Sequence, residues 1–147
     1  MLPRTHILFG AIFTLIVGYV YPGISWFYLV LLFLSSFLID FDHYIVAANR
    51  TKSFSLFRAL HYFRVYCERE KRDIAKGIKK KGHFMVFHTF EFHIIVLLLG
   101  LFIWKGFLFV FIGMAFHSIL DIIYMVYYNE MHRREFWFVN WVIWKFK

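Results

Sequence analysis

The chain has 147 residues, of which 61% are hydrophobic and 24% aromatic, and its mean hydropathy is +0.62. This composition excludes an ordinary water-soluble protein, because too few polar side chains remain to cover its surface. The length suits one domain, and we predict a single membrane domain over residues 1–147. The only cysteine, Cys67, excludes an internal disulfide.

Four apolar stretches are predicted to be the spans of an all-α, integral membrane four-helix bundle. They cover about residues 5–21, 24–39, 84–104 and 106–128. The first two are shorter than the ~20 residues that a helix needs to span a bilayer. A helical hairpin that only partly crosses the membrane is therefore the alternative for this half of the chain.

Residues 44–83 form a basic loop between the second and third stretches. The loop holds eleven Lys and Arg residues against three acidic ones. Within it, apolar residues recur at helical spacing at Phe54, Phe57, Leu60 and Phe63. This pattern is typical of an amphipathic helix that lies in the membrane surface.

The C-terminal segment, residues 133–147, is aromatic and basic. Its tryptophans at positions 137, 141 and 144 fall on one face of a helix. Because amphipathic rings prefer the level of the lipid headgroups, we predict that this segment is interfacial.

The positive charges predict the orientation of the chain. Four spans place both termini and the basic loop on one side, and Lys105 is the only one of the 17 Lys and Arg residues on the other. The positive-inside rule then predicts a multi-pass protein of the inner (plasma) membrane with both termini in the cytoplasm. Trp26 and Trp104 fall at the outer ends, where an aromatic belt is expected. The expected partners are the lipid bilayer and anionic headgroups, and the basic charge needs no nucleic acid.

Ionisable side chains interrupt the apolar stretches, all in their cytoplasmic halves. Each costs roughly 2.5–3.5 kcal/mol at membrane depth on insertion scales, so a cluster of them needs partners or a function. His117 and Asp121 are four residues apart, and His88 and Glu91 three apart, so each pair is predicted to share a helical face.

Imidazole and carboxylate groups are common ligands of divalent metals, and we predict a metal site here. The predicted ligands are His6, Asp40, Asp42, His43, His88, His117 and Asp121. Asp40 and Asp42 would share a side only if the backbone became extended after Ile39. The set exceeds one tetrahedral shell, which favours two or more ions, zinc first and manganese or iron as alternatives. Glu91 is the predicted catalytic base.

Simpler structural roles stay open for several of these residues. Asp42 could cap the following helix, His6 could be interfacial, and His117 with Asp121 could form a neutral hydrogen-bonded pair. His93 lies five residues from His88 and is expected to make an interhelical hydrogen bond instead of binding metal.

With these motifs the chain resembles, over nearly its whole length, the membrane-bound metal-dependent hydrolases of the LexA-binding, inner-membrane type. The motifs are His6 before an apolar helix, Asp40-Phe41-Asp42-His43 at a helix end, His88-Thr89, and His117 four residues before Asp121. That family is similar, distantly, to zinc-dependent phospholipase C and P1 nuclease, which are all-helical phosphodiesterases with several metals.

The resemblance implies a metal-dependent hydrolase, and we expect its substrate to be a phosphoester of a lipid or other amphiphile at the cytoplasmic leaflet. One alternative is a non-catalytic membrane regulator that is stabilised by metal. A metal or proton transporter is disfavoured, because the outer halves of the spans carry no charge besides Lys105. A haem carrier would leave the carboxylates unexplained.

Overall fold

The computed structural model describes residues 3–146. This part of the chain contains seven α-helices and no β-strand, which confirms the all-α prediction. The helices are α1 (Pro3–Val20), α2 (Trp26–Leu38), α3 (Phe41–Thr51), α4 (Leu56–Ala75), α5 (Phe90–Phe102), α6 (Gly106–Tyr127) and α7 (Phe138–Lys145). Short 3-10 turns at Val86–His88 and Met131–Arg133 precede α5 and α7.

Within residues 3–146, two helical segments are long and apolar enough to cross a membrane. They are Trp26–Thr51, of 26 residues, which α2 and α3 form together, and α6, of 22 residues. The apolar helices α1 and α5 are shorter. Large apolar side chains point outward from them: Leu15 is 74% exposed and Phe102 78% exposed. Such a surface suits contact with lipid.

Helix α6 is central and packs against α1, α2 and α5, while α1 also packs against α2. Small residues permit the close approach. A Cβ on Gly113 of α6 would overlap Ser35 and the Leu32 carbonyl of α2, and a Cβ on Gly10 of α1 would overlap Ser36. The contact of α2 with α6 places Ser36 beside His117.

The junction between α2 and α3 is a tight helical turn. Ile39 and Asp40 both have right-handed helical angles, and the Asp40 amide donates to the Phe37 carbonyl at 3.2 Å, three residues back. The backbone after Ile39 is therefore helical, and the extended conformation that would place Asp40 and Asp42 on one side is not found. Because the Asp40 amide bonds to Phe37, the Ser36 carbonyl loses its usual partner four residues on and is available to another donor.

Helix α5 begins at Phe90, six residues after the predicted start of the third span at 84. Thr89 is the N-cap, and its hydroxyl accepts from the Phe92 amide at 3.4 Å. In the basic loop, α4 covers the predicted amphipathic region. Phe57 at its start is 85% exposed, and Phe54 just before it is 87% exposed.

Candidate metal centre

Four of the predicted ligands converge where α2, the 3-10 turn before α5, and α6 meet. Asp40, His88, His117 and Asp121 each offer one donor atom, and these four atoms all lie within 4.8 Å of one another. The two imidazoles and Asp121 are buried, with exposures of 4%, 0% and 2%. Asp40 is the member at the rim, since 16% of its side chain is accessible.

The distances within this cluster match a tetrahedral shell. His88 Nε2 lies 3.3 Å from His117 Nε2 and 3.5 Å from Asp40 Oδ1, and His117 Nε2 lies 3.4 Å from the same oxygen. Asp121 Oδ2 is 3.5 Å from His117 Nε2 and 3.8 Å from His88 Nε2. A tetrahedral zinc shell with bonds of about 2.0–2.2 Å has edges of about 3.3–3.6 Å. The Asp40, His88 and His117 edges fall in that range.

The other ring nitrogen of each histidine fixes its tautomer. His117 Nδ1 donates to the Ser36 carbonyl at 2.9 Å, the oxygen that the tight turn leaves available. His88 Nδ1 lies 3.0 Å from Asp42 Oδ2 and donates to that carboxylate. In the neutral rings both Nε2 atoms then carry lone pairs, which face each other and two carboxylates. A cation between these four donors removes the repulsion, so the residues present fit a divalent metal.

Asp42 orients the cluster from outside it. Its Oδ2 also accepts from the Phe87 amide at 3.2 Å, so the carboxylate holds both the ring and the backbone of the turn that carries His88. A carboxylate behind a ligating imidazole is the usual second layer of a metal site. In a second grouping, Asp42, His43 and His88 each offer an atom within 4.8 Å of the others. His88 belongs to both groupings.

His6 and His43 lie on opposite flanks of the cluster. His6 is fully buried, stacks on His117 at 3.8 Å between ring centroids, and has its Nε2 3.1 Å from Asp121 Oδ1. Neither nitrogen of His6 has a partner in hydrogen-bond geometry within residues 3–146. The His43 side chain is 35% exposed, and its Nε2 lies 3.4 Å from Asp40 Oδ1. His43 is therefore the group that borders the accessible side.

The structure does not bring Glu91 into either metal-binding group. Its carboxylate accepts from the Phe138 and Val139 amides at 3.0 and 3.3 Å, at the N-terminus of α7. The predicted pairing with His88 assumed one continuous helix. His88 instead lies in the 3-10 turn and Glu91 in the first turn of α5, so the two do not share a helical face. Glu91 caps α7, and the catalytic role expected for it is not supported by its position.

His93 makes the interhelical hydrogen bond that was expected of it. Its Nδ1 bonds to the Thr89 carbonyl at 2.9 Å, and its Nε2 lies 3.1 Å from Ser118 Oγ on α6. His93 therefore links α5 to α6 beside the cluster.

Two contributors were missed from the sequence, Ser36 and Arg134. Arg134 donates to Asp121 Oδ2 at 2.7 Å, and both side chains are largely buried. Nothing in the spacing of the tail indicates this contact. Ser36 carries a weak signal, since it is one of two small polar residues in an otherwise apolar run, and such residues mark close helix contacts.

A protein-family model described as YdjM inner membrane protein matches residues 1–127. The matched range contains Asp40, His88, His117 and Asp121, but not Arg134. No curated protein and no solved structure matches the chain. Since the model covers more than half of the sequence and the helices are apolar on their outer faces, the chain belongs to the YdjM inner membrane protein family.

Proposed function

We propose that the protein is a metal-dependent hydrolase that cleaves a phosphoester of a lipid or another amphiphile at the cytoplasmic leaflet. The observation that carries the proposal is the triangle of Asp40 Oδ1, His88 Nε2 and His117 Nε2, with edges of 3.3–3.5 Å. Three such ligands with a further open position are typical of catalytic zinc sites, whereas closed four-ligand shells are typical of structural ones. When bound, a divalent ion supplies Lewis-acid polarisation and acidifies water.

Whether the site is open or closed depends on whether Asp121 binds the ion as a fourth ligand. Its Oδ2 makes the longest measured edge, 3.8 Å to His88 Nε2, and is held by Arg134 at 2.7 Å. Because the guanidinium competes for this oxygen, we place Asp121 at the margin of the shell. The Arg134 guanidinium is also the cationic group bonded directly to the cluster, and arginine is a good partner for an anionic phosphoryl group.

His43 replaces Glu91 as the proposed proton-transfer group. It is the most exposed ionisable side chain at the cluster, and its Nε2 lies 3.4 Å from Asp40 Oδ1. An imidazole at the rim can accept a proton from attacking water and release it to solvent. Asp42 is too enclosed for this task, since it is 5% exposed and bonded to His88 and the Phe87 amide.

We place the four apolar helices across or partly across the membrane as an integral bundle, with both termini and α4 on the cytoplasmic side. Support comes from the isolated Lys105 and from Trp104, which packs near Phe27 and Tyr28 at the opposite end from the cluster, at 6.0 and 6.5 Å. Helix α5 has 13 residues and is about 20 Å long, shorter than the ~30 Å hydrocarbon core. The cluster then lies near the cytoplasmic headgroups, within reach of a lipid substrate.

The test is a hydrolysis screen on protein that retains its metal. Detergent-purified chain is analysed for metals and assayed on phospholipids and soluble phosphoesters. The proposal expects turnover that a chelator removes and that the supplied divalent ion restores. His88→Ala and His117→Ala should lack both activity and metal, while His93→Ala keeps both. Activity that survives complete metal removal would contradict the proposal.

A non-catalytic, metal-stabilised membrane regulator is the second candidate. It is favoured by the depth of the cluster, because His117 and Asp121 are 0% and 2% exposed. If Asp121 completed the shell, the site would be closed and structural. A protein that binds metal tightly, loses thermal stability without it and hydrolyses nothing in the screen would support this role.

A further inference from the structure

A cavity of about 760 Å³ lies away from the metal cluster, between α3, α4, the loop of residues 76–84 and α7. Its volume falls within the ~300–1,000 Å³ that is typical of small-ligand pockets. The occupant that fits is therefore a small molecule or a lipid headgroup, and a folded macromolecule is too large.

The cavity wall carries more positive than negative charge. Its two acidic residues are paired, Glu70 with Arg133 and Asp73 with Lys80, the latter at 3.1 Å. Arg50 and Arg69 also line the cavity. Among the described residues 3–146, the ion pairs of lysine and arginine include neither of them. Two free guanidiniums beside a concave surface are well suited to a phosphate group, which arginine binds bidentately.

His83 contributes shape and not charge at neutral pH. Its Nε2 lies 2.7 Å from the Tyr62 hydroxyl, and its ring stacks on Tyr66 at 4.5 Å. Burial lowers the pKa of His83, and the neighbouring Arg50 charge lowers it further. The positive charge of the wall at neutral pH therefore comes from the arginine and lysine side chains.

Part of the cavity lining is aromatic. Trp141 stacks on Phe84 at 4.4 Å, and the Lys145 ammonium lies 4.8 Å from the centre of the Trp141 ring. Trp144 also lines the cavity. A cavity lined by both cationic side chains and tryptophans matches an amphiphile at the level of the headgroups, where tryptophan prefers to lie.

One aromatic side chain separates this cavity from the metal cluster. Phe63 packs against His43 at 5.0 Å and against His83 at 6.3 Å, between ring centroids. None of the four clustered metal ligands lines the cavity. The cavity is thus a neighbouring site with its own charges.

We propose that this cavity binds the phosphate group of an anionic ligand through Arg50 and Arg69. The group belongs either to a lipid headgroup or to a soluble phosphomonoester, which share this chemistry. The inference does not depend on metal-dependent hydrolysis, because none of the residues that carry it takes part in the proposed reaction.

Binding to metal-stripped protein in detergent tests the proposal. The probes are glycerol 3-phosphate and short-chain phosphatidic acid, with phosphatidylcholine as the zwitterionic comparison. We compare Arg50→Gln/Arg69→Gln with the control Lys52→Gln/Arg72→Gln, which removes the same charge from the residue after α3 and from α4, outside the cavity. Metal content after reloading checks that both variants are folded, since neither touches the cluster.

The expected result is saturable binding of phosphatidic acid that falls on the order of tenfold or more in the cavity variant and by less than about twofold in the control. If glycerol 3-phosphate also binds saturably and its binding falls in the same cavity variant, the phosphate group alone is sufficient for binding. Binding of phosphatidic acid only identifies a lipid headgroup. Equal losses in the two variants, equal affinity for phosphatidylcholine, or no saturable binding of either anionic probe would overturn the proposal.

Discussion

The Arg134 guanidinium donates to Asp121 Oδ2 at 2.7 Å and so joins the segment after α6 to a carboxylate of the metal cluster. The guanidinium competes with a cation for this oxygen, because a hydrogen bond from arginine reduces the availability of the carboxylate as a metal ligand. It also links the site to residues that lie beyond the family match, which ends at Tyr127.

We predict that Arg134→Gln tightens metal binding by about tenfold, since the lost charge-assisted hydrogen bond is worth on the order of 1.5–3 kcal/mol. Hydrolysis should fall at the same time, because Asp121 Oδ2 would then bind the ion more strongly and close the shell. Competition with a fluorescent chelator gives the affinity, and Arg72→Gln on α4 controls for the change in net charge. Weaker metal binding in Arg134→Gln would contradict this role.

Removal of the metal should destabilise the folded protein, because the stabilisation that the ion provides by binding His88 and His117 is lost. A ligand present at about 100 times its Kd stabilises a folded state by about 2.7 kcal/mol. Thermal unfolding in detergent should therefore show a lower Tm after chelation of the wild type, and no further decrease in His117→Ala. His93→Ala, whose ring bonds to Ser118, serves as the control and should respond to the chelator as the wild type does.

His43→Gln should lower the rate of hydrolysis by about 10²–10⁴-fold, the usual contribution of a proton-transfer group. Metal content should stay unchanged, because the described four-ligand cluster does not include His43. His61→Gln on the exposed face of α4 is the matched control. Loss of metal together with activity would instead make His43 a ligand.

Gly113→Ala should destabilise the bundle by about 1–3 kcal/mol, the cost of overpacking a close helix contact. The added Cβ would overlap Ser35 and the Leu32 carbonyl on α2. Gly23→Ala is the control, because a Cβ there meets nothing within 4 Å. Detergent or urea titration of helical circular dichroism measures the difference, and equal stability of the two variants would refute the close contact.

The single cysteine tests the orientation. Cys67 is exposed on α4, in the loop that we place in the cytoplasm. A membrane-impermeant maleimide should label it in inverted vesicles and leave it unlabelled in right-side-out vesicles. Cys67→Ser/Lys105→Cys should give the reverse pattern, and labelling of Cys67 from the outside would contradict the positive-inside assignment.

The sequence predicted the helical class and the four side chains of the cluster, because charge inside an apolar run is costly wherever it occurs. The prediction was wrong where the start of a helix depended on its N-cap residue. Thr89 starts α5 late, which separates His88 from Glu91 and removes the helical face that their spacing indicated.

The contacts of Ser36 and Arg134 with the site could not be predicted from the sequence for a different reason. Each acts through a contact between segments that are 81 and 13 residues apart, and no local pattern indicates which pairs will meet. The composition does not indicate the tight turn at Asp40 either, although this turn determines the orientation of the Asp40 and Asp42 side chains.

The tight turn at Asp40 links the orientation of the His117 imidazole to the geometry of α2 and α3. The Ser36 carbonyl accepts from His117 where the Asp40 amide bonds to Phe37 instead of to Ser36. If α2 and α3 were straightened into one regular helix, the Asp40 amide would compete with the His117 ring for this oxygen. The angle between these two helices and the orientation of the His117 imidazole are therefore coupled.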